Sequence, residues 1–119
     1  MQLRVTGPAR QDIARILKQS LQDFGEAAAE RYATLLSQAL ADIAADPDRP
    51  GSRARPEIMI SGARTYHLEF SRTRVSGDRV KEPRHFILYR QREIDVVEVG
   101  RILHDARELS RHLPRDYRK

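Results

Sequence analysis

The chain has 119 residues, 22 basic and 17 acidic, for a net charge of +5. That length suits one domain, 1–119, with a core of its own, and the absence of cysteine excludes disulfides and thiolate metal sites. No apolar run reaches a membrane-spanning length and the opening MQLRVTGPAR lacks a signal-peptide core, which predicts a soluble cytoplasmic protein with no membrane partner.

The positive charge is unevenly spread. Residues 101–119 carry six basic and three acidic groups, and residues 71–84 carry five and two, so each segment is +3. The rest of the chain is −1. A basic C-terminus, with its tail at 115–119, and a basic loop on a neutral body suit an acidic protein segment or a nucleic acid. A solubilising surface is the plain alternative.

In chain order, Gln2 to Val5 alternates polar and apolar residues and predicts a short strand. Thr6, Gly7 and Pro8 then open a helix, since proline's missing N–H costs nothing in a first turn. Ile13, Ile16, Leu17, Leu21 and Phe24 recur at helical spacing and define one apolar face, and Gly25 stops the helix. A second helix follows at once, with Ala28, Tyr32, Leu35, Leu36, Ala39, Leu40 and Ile43 on its apolar side. Glu30, Arg31, Gln38 and Asp42 are predicted to point away. Asp46-Pro47-Asp48 ends it. Two amphipathic helices with almost no linker predict an antiparallel hairpin that needs a second layer.

Residues 47–63 are rich in Pro and Gly, and Ile58, Met59 and Ile60 are predicted to pin them to the core. Tyr66, Leu68 and Phe70 alternate with Thr65, His67 and Glu69, a half-buried strand pattern. A long loop at 71–84, with Gly77-Asp78 near its tip, leads to a strand at Phe86–Tyr89. Arg90 to Glu93 are read as the tight connection to the richest apolar run, Ile94, Val96, Val97, Val99, Ile102 and Leu103. Gly100 inside that run predicts a bulge or a close backbone approach. Asp105 and Glu108 stand at capping-box spacing, so the chain is expected to turn from strand into a short C-terminal helix near His104. The order predicts an α+β domain: an N-terminal strand, an α-helical hairpin packed on an antiparallel β-sheet, and a closing helix.

The stretch VGRILHDARELSRHLP, an apolar strand ending in a Leu-His pair, resembles the C-terminal signature of the ParE branch of the RelE/ParE toxin superfamily. Glu108 replaces the Asp of that branch's His-x-x-x-Asp-Leu pattern. The resemblance extends over Ala9-Arg10-Gln11-Asp12-Ile13, the Gly25 break, the Asp46-Pro47 helix end and Gly62-Ala63-Arg64. It implies a toxin of a type II toxin–antitoxin pair that inhibits DNA gyrase by binding, without catalysis or cofactor, and is neutralised by a cognate antitoxin that folds against the hairpin and sheet. Direct contact with nucleic acid is a secondary expectation.

Enzymatic relatives in the superfamily cut messenger RNA on the ribosome, a reaction that needs a base, an acid and cations for the phosphorane charge. Arg64, Arg90, His104, Arg107, Arg111, His112, Tyr117 and Lys119 are the candidates, but arginine is too weakly acidic for a general base. His104 precedes a candidate N-cap, where an imidazole closes a strand end by bonding backbone; acid–base chemistry is the alternative. Tyr66 shares the period of Leu68 and Phe70 and is read as core. No histidine spacing resembles a metal site. Arg64, Arg90, His104, Arg107 and Arg111 are therefore assigned to recognition of antitoxin or target. A RelE-like endonuclease and a relative that has lost its toxicity, to which Glu108 points, are the alternatives.

Overall fold

The computed structural model describes residues 1–58 and 60–106. Strand β1 (Gln2–Val5) leads into helix α1 (Gly7–Phe24) and helix α2 (Glu26–Ala45), followed by β2 (Arg53–Ala54), β3 (Ala63–His67), β4 (His85–Glu93) and β5 (Val96–His104). Short 3₁₀ segments occupy Pro56–Ile58 and Leu68–Arg74. The strands form one sheet in the order β1-β5-β4-β3-β2. The sheet is mixed, because β1 joins β5 in parallel while the other pairs are antiparallel. Nothing short connects β1 to β5, so no hairpin dictates their relative direction.

The helical hairpin covers one face of this sheet. Ile16, Leu35, Leu36, Ala39 and Ile43 pack on Tyr66, Ile87, Tyr89, Val97, Val99 and Ile102 in one buried cluster. Successive strand residues point to opposite faces, so Leu88 turns away and joins Ile60, Ala63 and Ile58 in a smaller cluster. The predicted pinning by Ile58 and Ile60 is thus present; Met59 lies outside the described residues.

A single residue joins the helices. Gly25 has φ +90°, a left-handed conformation that favours glycine, and its N–H bonds the Leu21 carbonyl at 3.0 Å. At the other end of α1, the Thr6 hydroxyl accepts the Ala9 N–H and itself donates to the Gly100 carbonyl at 3.0 Å. Gly100 is the extra residue of the expected bulge: Leu88 pairs with Arg101 and Tyr89 with Val99, leaving Gly100 without an opposite. Just past the bulge, Asp12 accepts from both Nε and Nη2 of Arg101 (2.7 and 2.9 Å), from the Ile102 N–H (2.9 Å) and from Arg15. Burial works to raise its pKa, but these donors outweigh burial and hold the carboxyl below its ordinary range.

Four expectations need correction. Asp42 is buried: Ser71, Gln38 and Arg74 donate to its carboxylate, with Arg49 3.5 Å away. Helical spacing alone placed it outward; the 3₁₀ segment supplies donors that bring it in. The β3 strand stops at His67, whose Nδ1 accepts the Glu69 N–H and caps the 3₁₀ turn. Phe70 therefore leaves the strand pattern and lies on Gly51, where a Cβ would come within 2.5 Å of its ring. Strand β4 runs on through Arg90–Glu93, and Ile94 sits in the turn, 90 % exposed. Finally, Leu21 and Phe24 are exposed, because the last turns of α1 do not lie on the sheet. The C-terminal helix expected after His104 falls outside the described residues.

Candidate functional site

The overhanging end of the hairpin creates a groove. Its walls are the last turns of α1 with the first turns of α2 on one side and residues 78–82 on the other, and its volume is about 1050 Å³. The 71–84 loop that forms the second wall is tied down by its own arginines. Arg72 donates to the Val80 carbonyl, and Arg79 to the carbonyls of Val75 and Thr73, so side chains satisfy backbone acceptors from the end of the 3₁₀ segment onward. Ile16, Phe24, Ala28 and Val80 give the groove an apolar side, and Phe24 is 77 % exposed at its lip.

The polar end lies where β4 begins and β5 ends. Their register sets His85 opposite His104, with the rings edge to face at 5.4 Å. Tyr32 reaches down from α2 with its hydroxyl 2.6 Å from His85 Nδ1, and the same hydroxyl accepts the Arg84 N–H at 3.2 Å. A hydroxyl holds one proton and a backbone N–H can only donate. The Tyr32 oxygen is thus an acceptor toward Arg84, and its own proton can go to Nδ1 in the His85 tautomer that carries its proton on Nε2. Burial, reinforced by His104, lowers the His85 pKa to about 4, while burial pushes the Tyr32 hydroxyl up to about 12. His104 Nδ1 accepts the Ala106 N–H at 3.1 Å, the strand-closing bond read from its position, and this directs the ring's own proton to Nε2.

Asp105 braces this end from behind. It faces His67 Nε2 at 3.1 Å and Arg84 at 3.0 Å, and its N–H bonds the Arg84 carbonyl. Burial pushes its pKa up, but the His67 hydrogen bond and the Arg84 and His104 charges prevail and hold it low. His67 has both nitrogens engaged, one by Asp105 and one by Glu69. The rim adds Arg15, Arg31, Arg79, Lys81 and Arg84 against Asp23, Asp78 and Glu82. Donors prevail at the polar end and cations along the rim.

The residues singled out from the sequence are dispersed. His104 lines the groove. Arg64 pairs with Tyr89 across β3 and β4, donates to Ser52 Oγ at 2.6 Å and lies 3.5 Å from Asp48. Arg90 is next along β4, hence on the opposite face, where its Nε meets Glu98 at 3.0 Å. It is five residues from His85, roughly 17 Å along the strand. Arg107 and Arg111 lie outside the described residues, as do His112, Tyr117 and Lys119. Tyr32, His85, Arg84, Asp105 and Phe24 were not picked from the sequence as a group. Their signal was the β4–β5 register: counting back from the turn, with the shift at Gly100 offset by the opposite one between Gln91 and Glu93, brings His85 onto His104. Among the described residues no cluster of three or more metal-ligating side chains occurs, and no helix is long and apolar enough to cross a membrane.

An N-terminal strand, a helical hairpin and a five-stranded mixed sheet make an α+β fold of the RelE/ParE kind. The chain belongs to the family described as ParE toxin of type II toxin-antitoxin system, parDE, whose profile matches residues 3–109. It is thus a toxin of the type II class, and the family implies an antitoxin partner. None of the curated proteins compared matches the chain.

Proposed function

We propose that this toxin acts in the cytoplasm on DNA gyrase, by binding rather than by catalysis of its own, and that its antitoxin neutralises it by occupying its surface. The family match over residues 3–109 carries the reading. An open groove with an apolar lip and a cationic rim supports it, since such a surface suits a macromolecular partner better than an enclosed small substrate.

A second reading, an mRNA endonuclease, draws on one observation: His85 and His104 stand side by side with the Tyr32 hydroxyl at the groove end. Imidazole pairs serve proton transfer when one accepts and the other donates. Against it, His85 titrates near pH 4 and is a weak base at neutrality.

The deciding experiment combines purified toxin, gyrase, supercoiled plasmid and ATP, and looks for linear DNA. Accumulation of linear DNA that disappears on adding antitoxin is the expected result. No cleavage by a folded toxin, together with message cutting that requires ribosomes, would replace gyrase by the second reading.

A further inference from the structure

The sheet has a second end, and its chemistry differs from that of the groove. Strands β4 and β5 each run nine residues between the His85–His104 pair and the turn that joins them, about 27 Å at the strand rise. Strand β3 pairs with β4 only as far as Arg90, so residues 91–93 project beyond it. Glu93 pairs with Val96 and closes a turn of two residues, Ile94 and Asp95. Turns this short favour Asn, Asp and Gly, and Asp95 conforms. Ile94 does not. It is β-branched and apolar, and at 90 % it is the most exposed large hydrophobic side chain among the described residues.

Hydrogen bonds hold the turn in place. Gln91 Nε2 donates to the Ile94 carbonyl at 2.9 Å, and the Gln2 N–H of β1 donates to the Asp95 carbonyl at 2.7 Å. A turn ordered before contact has little backbone freedom left to lose on binding. Arg92, the extra residue of the register shift between Gln91 and Glu93, is drawn back to within 3.5 Å of Glu98. The carboxylates of Glu93 and Asp95 have no hydrogen bond or ion pair among the described residues. The tip is therefore an apolar knob between two free carboxylates, on a chain whose net charge is +5. Such a tip repels a nucleic acid backbone, and one side chain is too little apolar area to bind a lipid surface. A place where local preference is overridden without a gain in packing is where function is expected to act.

We infer that the Ile94 turn is the part of this toxin that engages its target protein: Ile94 fills an apolar pocket there, and Glu93 and Asp95 meet cations at the pocket's rim. The inference rests on the gyrase reading and deepens it, naming the surface used and the chemistry it meets. Charge complementarity selects that partner. An enzyme that holds DNA carries cationic surface in order to do so. Two carboxylates beside an apolar anchor fit such a surface, where the basic remainder of this chain does not. The tip lies at the far end of β4 and β5 from the groove, so changing it leaves the groove as it is.

The test uses the full chain with gyrase, supercoiled plasmid and ATP, and reads the toxin concentration that gives half-maximal linear DNA. Calorimetry with the intact antitoxin runs alongside. Ile94→Asn supplies a residue that the turn prefers, so the fold should be kept, which circular dichroism checks. This variant should raise the half-maximal concentration roughly tenfold or more and leave antitoxin affinity unchanged. Ile94→Leu keeps an apolar side chain and should retain most of the activity. Glu93→Gln combined with Asp95→Asn should raise the concentration by a smaller factor and flatten its dependence on salt. Linear DNA at unaltered concentrations of a folded Ile94→Asn variant would overturn the inference and leave the gyrase reading intact. A loss of antitoxin affinity alone would overturn it by giving the tip to the antitoxin. Self-association of the unaltered chain that Ile94→Asn abolishes, with linear DNA unchanged, would overturn it in favour of a second copy. Absence of linear DNA with the unaltered chain would instead overturn the gyrase reading, and with it the partner named here.

Discussion

Asp12 on α1 and Tyr32 on α2 belong to the same helical layer, and each ties its helix to the sheet, but the two tethers leave opposite remainders. At Asp12 every interaction converges inward: a carboxylate 1 % exposed accepts from the Arg101 guanidinium, the Ile102 N–H and Arg15, and little of it faces water. At Tyr32 the hydroxyl meets His85 Nδ1 and accepts the Arg84 N–H, and the bond that orders the ring engages only one of its two nitrogens. The first tether holds the fold together. The second holds it together and also presents chemistry to a groove. Buried polar groups are therefore informative about function through what they leave over, more than through their being buried.

The largest effect should come from the saturated tether. Asp12→Ala removes the buried carboxylate of an ion pair and leaves the Ile102 N–H without its acceptor, which costs about 3–5 kcal/mol. Urea unfolding at neutral pH measures it, and a loss under about 1 kcal/mol would show that Asp12 is not the lock described.

The second prediction separates the tethers by pH. His85 has a folded pKa of about 4 against 6.5 for the free side chain, so between those values the unfolded chain binds a proton that the fold excludes. Stability should fall as pH is lowered from 6.5, with the loss complete near 4, by ~2 kcal/mol once partial exposure is discounted. The Asp12 and Asp42 carboxyls have lowered folded pKa values. Their contribution is full above the free value of 3.8 and is lost only as pH drops through the folded values, so it belongs to a lower window. Urea titrations at a series of pH values in the unaltered chain and in His85→Gln would resolve the two. An identical slope between pH 4 and 6.5 in both proteins would remove His85 from the account.

The smallest effect is Tyr32→Phe, which deletes one hydroxyl and leaves His85 Nδ1 and the Arg84 N–H without it, about 1 kcal/mol. Its sharper readout is the His85 ring: nitrogen NMR should show a mixture of tautomers in the variant where the unaltered chain shows the Nε2–H form alone. A ring that keeps one tautomer without Tyr32 would mean that something else sets it.

Much of this was legible in the chain. Gly25 announced the break between the helices, Gly100 the bulge, and the apolar periods of α2 and β5 the buried faces, because local geometry decides those features. Asp42 was misread because its donors Ser71 and Arg74 come from a segment about thirty residues further on, and a helical projection places charge outward by default. Phe70 was misread because a capping histidine ended the strand that its spacing continued. The groove was hidden for a related reason. Leu21 and Phe24 carry the apolar period of a core face, and only the position of the sheet beneath α1 shows that the last two turns have nothing to pack on.

The parallel pairing of β1 with β5 has a consequence for the order of events during folding. The β4–β5 hairpin and the α1–α2 hairpin form between neighbours in sequence, so each needs only a short loop to close. The edge at Gln2–Val5 instead waits for Val96–Val99, and the bond from Thr6 to Gly100 spans 94 positions. Closing so long a loop is costly in chain entropy and slow. A nascent chain can thus assemble both hairpins while its outer strand still lacks a neighbour. The Asp12–Arg101 lock, formed across 89 positions, would then be among the last contacts made, and the helices would settle on the sheet only after most of the polypeptide has been synthesised.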